Sequence, residues 1–299
     1  LVRMPPRSGA NARVRASRHH RTVTDGILGG VLSRLLLVLA LVLTPGVALA
    51  APLQDQQRPT DPRYGISPGA DILWLPEAEL MQELDLYQSM GFGWIRLDFD
   101  WHSIQDRRGR YSWTATDRVV QAARERGLRV LAMPAYTPRW AAVVDDPHSR
   151  PADMSAFARF VGAAVKRYRP LGIHDWEIWN EPNSRLFWLP RPDARAYARM
   201  LALTSRRIRV NDPEATIIAG ALAPASTARN GSQISPIDFL RELYSADASP
   251  EFDALSVHPY TYPLRPDHPD SAWNTNFNLA KLSVAMRKSP LMAKSRSPL

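Results

Sequence analysis

The stretch Trp176-Glu177-Ile178-Trp179-Asn180-Glu181-Pro182-Asn183 runs as a short apolar strand into an amide, a carboxylate and a proline. A carboxyl group at the end of a buried strand can be kept protonated near neutral pH by a low-dielectric pocket or a neighbouring carboxylate, and so can act as a general acid. Glu181 is the candidate for that work. By strand alternation Glu177 shares its face and points inward below it, and a carboxylate buried there needs a cation.

Other polar and aromatic residues collect where neighbouring strands should end: Asp98, Asp100 and Trp101; Tyr136 and Trp140; His258 and Tyr260. The elements that must carry them alternate. Strands are expected at 64–66, 92–99, 128–134, 175–180, 215–219 and 252–257. Helices are expected at 76–90, 114–126, 153–168, 192–210, 236–245 and 276–287. Six βα units imply a parallel sheet covered by helices. A doubly wound nucleotide binder should carry a glycine-rich turn after its first strand, and Gly65-Ile66-Ser67-Pro68-Gly69 lacks the G-x-G-x-x-G spacing. Chemistry drawn from several strand ends suits a (β/α)8 barrel instead.

Composition narrows the setting. Residues 1–34 hold seven arginines against one acid, and an apolar run from Leu35 to Leu43 leads to Ala48-Leu49-Ala50. That pattern predicts a signal peptide over 1–50, too short in its apolar run for a spanning helix, and hence an exported protein of the secreted or cell-envelope class with no stable membrane insertion after cleavage. A linker is expected at 51–63, the barrel at 64–286 and an irregular basic tail at 287–299. The formal charge of +9 falls to +3 without residues 1–50, and to −1 over 51–286. The basic balance is made at the two ends, so a nucleic-acid partner is not expected. The chain has no cysteine, which excludes disulfides and thiolate zinc sites. Its histidines and carboxylates show no H-E-x-x-H spacing, so neither metal nor cofactor is implied.

Four motifs together resemble the clan A glycoside hydrolases, the retaining (β/α)8 glycosidases, with most similarity to family 39 (β-xylosidase-like) and family 5 (cellulase-like). They are Trp176 to Asn183 on the fourth strand, Ile95-Arg96-Leu97-Asp98-Phe99-Asp100-Trp101 on the second, Thr137-Pro138-Arg139-Trp140 after the third, and Asp253-Ala254-Leu255-Ser256-Val257-His258-Pro259-Tyr260 on the sixth. The resemblance implies a carbohydrate substrate, an oligo- or polysaccharide. It also implies retaining chemistry by two carboxyl groups about 5 to 5.5 Å apart, one protonating the leaving oxygen and the other attacking the anomeric carbon. It assigns the acid/base role to Glu181 and contact with the sugar 2-hydroxyl to Asn180. Arg96 falls near the nucleophile, and it is also the candidate cation for Glu177. His258 and Tyr260 are implied to orient the nucleophile and line the sugar subsite, with Asp98 nearby. Trp140, Trp101 and Trp188 are candidates to stack on sugar faces, although most tryptophans are core.

One part of the pattern is missing. The resemblance calls for a second glutamate at the end of a seventh strand, and no glutamate follows Glu251. Asp253 falls at the wrong end of its strand, and Asp267 and Asp270 sit in a proline-rich loop. The seventh and eighth units are therefore expected to be missing, leaving two open sheet edges. Three readings compete: a truncated glycosidase that keeps the acid/base half, a non-catalytic glycan-binding protein, and a complete enzyme that recruits Asp267 or Asp270.

Overall fold

The computed structural model describes residues 2–3, 61–246, 251–261, 263–265 and 268. In chain order the strands are β1 (Val2–Arg3), β2 (Asp61–Ile66), β3 (Phe92–Asp100), β4 (Arg129–Ala135), β5 (Asp175–Asn180), β6 (Thr216–Leu222) and β7 (Ala254–Val257). The helices are α1 (Glu77–Ser89), α2 (Trp101–Ile104), α3 (Thr114–Glu125), α4 (Met154–Tyr168), α5 (Ala194–Asn211) and α6 (Pro236–Ser245).

Side chains of the sequence start these helices where they begin. Asp153 and Asp193 accept backbone N–H groups from Ser155 and Ala196, Ser235 caps α6 ahead of Pro236, and each satisfies a donor the first turn leaves orphaned. After α3 the chain turns back through Gly127 at φ 70°, a conformation that favours glycine.

The sheet order is β1-β7-β6-β5-β4-β3-β2. From β2 to β7 every strand pairs parallel with its predecessor, so the order never reverses. A doubly wound sheet needs such a reversal; its absence here leaves a curled half-barrel, six of the eight units of a (β/α)8 barrel. On β3 the residues Ile95, Leu97 and Phe99 are fully buried, and Phe99 lies edge-on to Tyr168 of α4 and Trp176 of β5. Each such side chain contributes about 1.5–3 kcal/mol of burial. The alternate residues Arg96, Asp98 and Asp100 are left for the inner face.

Among the departures from the expected boundaries, three matter here. The first strand opens at Asp61, three residues earlier and inside the expected linker, because the Asp61 N–H reaches Gly91 O and Arg63 closes on the Asp61 carboxylate. Pro62 has no N–H to give the ladder, and the β2–β3 register shifts between Asp61 and Gly65. β6 runs to Leu222, beyond the expected Ala219, and so brings Ala221 opposite Asn180. Val2–Arg3, expected outside the fold with the rest of 1–50, pairs antiparallel with Leu255 and Ala254. Among the described residues nothing else pairs with β7 on that side, and a strand so placed offers its backbone groups to any chain that reaches it. Asp267, Asp270, the helix expected at 276–287 and the basic tail lie outside the described residues, as do residues 4–60.

Candidate active site

Strict alternation along β5 would place Glu177, Trp179 and Glu181 on one face and Asn180 on the other. The backbone prevents this. Trp179 has φ 74° and Glu181 φ 45°, and Tyr136, just past β4, has φ 62°; among the described residues they are the non-glycine residues in the left-handed region. Such residues cost on the order of 1–3 kcal/mol each and persist only when their surroundings enforce them. All three sit at the C-terminal ends of adjacent strands.

The turn at Trp179 rotates its ring into the helical layer, against Phe157 of α4 and Trp188, with Nε1 donating to Phe187 O. Asn180 is thereby turned to the inner face, where its Oδ1 accepts from Arg96 Nη2 at 3.1 Å. The same guanidinium donates to Glu177 Oε1 from Nη2 at 2.6 Å and from Nε at 3.1 Å, so Arg96 is the cation that the buried Glu177 needs. Asp98 Oδ1 lies 4.0 Å from Arg96 Nη1. Burial opposes the charge on Arg96, but the Glu177 carboxylate outweighs it and holds the guanidinium above its ordinary value. Burial pushes Asp98 up to about 6 against the pull of Arg96, with Asp100 and Glu177 adding to the rise.

Glu181 takes a different partner. Its Oε1 lies 2.6 Å from His258 Nδ1, just beyond β7, and its backbone N–H is held by Ala221 O. Tyr260 is 59% exposed with its ring 5.2 Å from that of His258. Tyr136 stands between the two groups of charges. Burial and the neighbouring Asp98 raise its phenol above the ordinary value, with Arg96 pulling the other way and Asp100 and Glu181 adding to the rise.

The structure thus brings together Arg96, Asp98, Asn180, Glu181, His258 and Tyr260, with His258 on the expected acid rather than on a nucleophile. It does not bring Trp101 or Trp188 with them. Trp101 is fully buried between Trp140, Phe157 and Phe160, and its Nε1 donates to Gln105, so no face is left for a sugar. Trp188 is equally buried, between Trp179 and Tyr197. Both belong to the core because the short helix α2 and the loop after β5 fold them back under the strand ends. Trp140 is half-buried, its Nε1 donating to Gln105 O and the Arg108 guanidinium 5.1 Å from its ring centre. Asp253 takes Arg209 and the Ile217 N–H at the opposite end of β7.

Two residues with no expected role hold the loop and the strand. Asn183 donates to Ala223 O and Ile234 O and accepts from Ala223 N, pinning the chain after β5 to the chain after β6. Tyr197 of α5 donates to Ile178 O and accepts from Gly220 N. An asparagine after a proline and an aromatic on a helix face carry no distinguishing signal in the sequence. A cavity of about 390 Å³ opens between Leu73–Leu75, α2 and the start of α3; its lining includes Asp100, whose carboxylate caps α2 through His102 N and the Ser103 hydroxyl.

The sequence profile of the cellulase family, glycosyl hydrolase family 5, matches residues 56–284. No curated protein matches the chain. Among solved structures it is similar to a family 39 glycoside hydrolase from Bacteroides cellulosilyticus WH2, at 23% identity and TM-score 0.54 over 71% of this chain and 41% of that one. It is also similar to the GH39 enzyme from Xanthomonas axonopodis pv. citri, at 19% and 0.59 over 78% and 50%. A monomeric beta-xylosidase from Caulobacter crescentus CB15 matches at 19% and 0.57 over 78% and 51%. The chain spans half or less of the length of the first two and 51% of the third, and at these identities the likeness speaks to the fold. With more than half of its residues matched by the family profile, the chain belongs to the cellulase family, glycosyl hydrolase family 5.

Proposed function

We propose that this chain carries the acid/base half of a retaining glycosidase site for β-linked glycans, with Glu181 as the proton donor to the leaving oxygen. The observation that carries the reading is the separation of carboxylates by partner. Glu177 is locked on Arg96 at 2.6 Å beneath the site, whereas Glu181, just past the end of the strand, has one oxygen on His258 Nδ1. Its Oε2 then faces substrate, while the His258 contact fixes the carboxyl plane. Arg96 holds the Asn180 amide by its oxygen and so leaves Nδ2 to donate to a sugar hydroxyl. Carbohydrate is the substrate class that family membership supports. Export by the N-terminal signal is part of this proposal.

Retaining hydrolysis also needs an attacking carboxylate on the opposite face of the sugar. The sequence offers no glutamate after Glu251. The proposal therefore predicts background turnover of aryl β-glucosides and β-xylosides by the chain as it stands, and release of phenyl aglycones once azide is supplied as external nucleophile. The product would be the glycosyl azide of inverted configuration. Glu181→Gln should remove that release by about 10²–10⁴-fold, the usual share of general acid catalysis. Equal release by wild type and Glu181→Gln would sink the reading. Turnover without azide, abolished by Glu181→Gln, would instead place the nucleophile on Asp267 or Asp270. The second reading, a non-catalytic glycan binder, is favoured by the engagement of Glu177 and Glu181 with protein partners; glycan affinity unchanged in Glu181→Gln with no azide-supported release would establish it.

A further inference from the structure

We propose that Tyr197 is a positioning residue for Glu181: its hydroxyl, inserted between β5 and β6, enforces the backbone turn that aims the carboxylate. The inference rests on Glu181 as the acid and adds how it is held.

Four observations converge on one level of the sheet. The β5–β6 register pairs Ile178 with Ala219 and Asn180 with Ala221, and passes over Trp179. The β6–β7 register shifts between Ala219 and Leu222, on either side of Gly220. Trp179 and Glu181 are both in the left-handed region, an arrangement their own side chains disfavour. At the same level the Tyr197 hydroxyl donates to Ile178 O at 2.7 Å and accepts from Gly220 N at 2.6 Å.

The phenol is fully buried, so those two backbone groups have no water to fall back on. Burial also raises the phenol above its ordinary value, which keeps the donor proton in place. Gly220 is needed for the same seam: a Cβ there would lie 2.5 Å from Ile178 O and 2.6 Å from Trp179 O. A side chain on the outer helix thus completes the hydrogen bonding where the β5–β6 pairing skips Trp179. Without it, the Ile178 carbonyl and Gly220 N–H recover partners only if the strand straightens, and straightening swings Trp179 inward and Glu181 off His258.

The test is Tyr197→Phe in the full chain, read two ways. In a crystal structure of the variant, Trp179 and Glu181 should leave the left-handed region and the Glu181–His258 contact should open from 2.6 Å beyond hydrogen-bond reach, while the Arg96–Glu177 pair stays at 2.6 Å. In the azide-supported reaction, release of phenol should fall on the order of 10²-fold, the effect of a misplaced catalytic group. Release of dinitrophenol, which needs no acid, should change less than about 3-fold, since general acid catalysis contributes only where the leaving group needs a proton.

An unchanged Glu181 geometry, or an equal fall for both aglycones, overturns the proposal in favour of a plain structural brace. If wild type releases no phenol, the functional reading fails, and the crystallographic arm alone still decides the role of Tyr197. If Tyr197→Phe does not fold, Gly220→Ala, which forces the same seam apart, is measured in its place. Failure of both to fold would assign the seam to stability alone and also overturn it.

Discussion

The two ends of the central strands use the same chemical parts to opposite purposes. At the N-terminal ends, Arg129 pairs with Asp175 at 3.2 Å, His174 with Asp212 at 2.7 Å and Arg209 with Asp253 at 3.1 Å. The Arg129 and Arg209 side chains there are exposed or half-exposed, as is the His174 ring on the buried Asp212, and Arg129 also lies 3.8 Å over the Trp94 ring. Toward the C-terminal ends, the part-buried Arg96 joins the buried Glu177 and Asn180, and the left-handed residues Tyr136, Trp179 and Glu181 follow at the ends of β4 and β5. An exposed pair trades little desolvation for little energy, whereas a buried one holds geometry and is strongly destabilising to break. The difference teaches where the fold is merely tied down and where it is held under strain for a task.

The largest expected break of that contrast is Arg96→Met. It strands Glu177 as an uncompensated buried charge and should lower stability by about 3–5 kcal/mol in denaturant titrations. Adding Glu177→Met should return part of the loss, because two apolar groups need no desolvation. A loss under about 1 kcal/mol for Arg96→Met would mean that the upper pair behaves like the lower ones.

Asp98 sharpens the contrast through pH. Its carboxyl is raised by burial to about 6 from an ordinary value near 3.8. The folded state therefore binds the proton more tightly than the unfolded chain, and stability falls as pH rises from about 4 to 6, then stays lowered. Asp98→Asn should remove the penalty, raising stability at pH 7–8 by up to about 3 kcal/mol with the gain vanishing below about pH 4. Thermal melts of both proteins at pH 3.5, 5 and 7.5 measure it; a gain that persists at pH 3.5 would show that titration is not the cause. The smallest effect belongs to the lower end. Arg129→Ala should cost no more than about 1 kcal/mol and less in high salt, and a larger loss would show that end to be more than a wet brace.

Much of this was legible in advance. The apolar alternation of β3, the helical spacing of α4 and the boundaries of β5 and α6 follow from local periodicity, and the parallel order follows from βα alternation. Glu177 below Glu181, with Arg96 as its cation, followed from the cost of burying a carboxylate. Trp101 and Trp188 went to the core for a physical reason: a tryptophan near a strand end can face the ligand or the helices, and four residues of α2 turned Trp101 to the helices. His258 reached Glu181 because β7 lies two strands away across the curl of the sheet, a distance no sequence spacing encodes.

What the sequence by itself determined is the family and the order of the units, and it singled out Glu181 as the candidate acid, since these rest on residue types and short-range pattern. Only the tertiary structure decided which way the end of β5 faces. The turn at Trp179 is opposed by its own residue and imposed by groups distant in the chain, among them Tyr197 on α5 and Gly220 on β6, so the direction of Glu181 is a property of the packed sheet and not of the stretch that contains it.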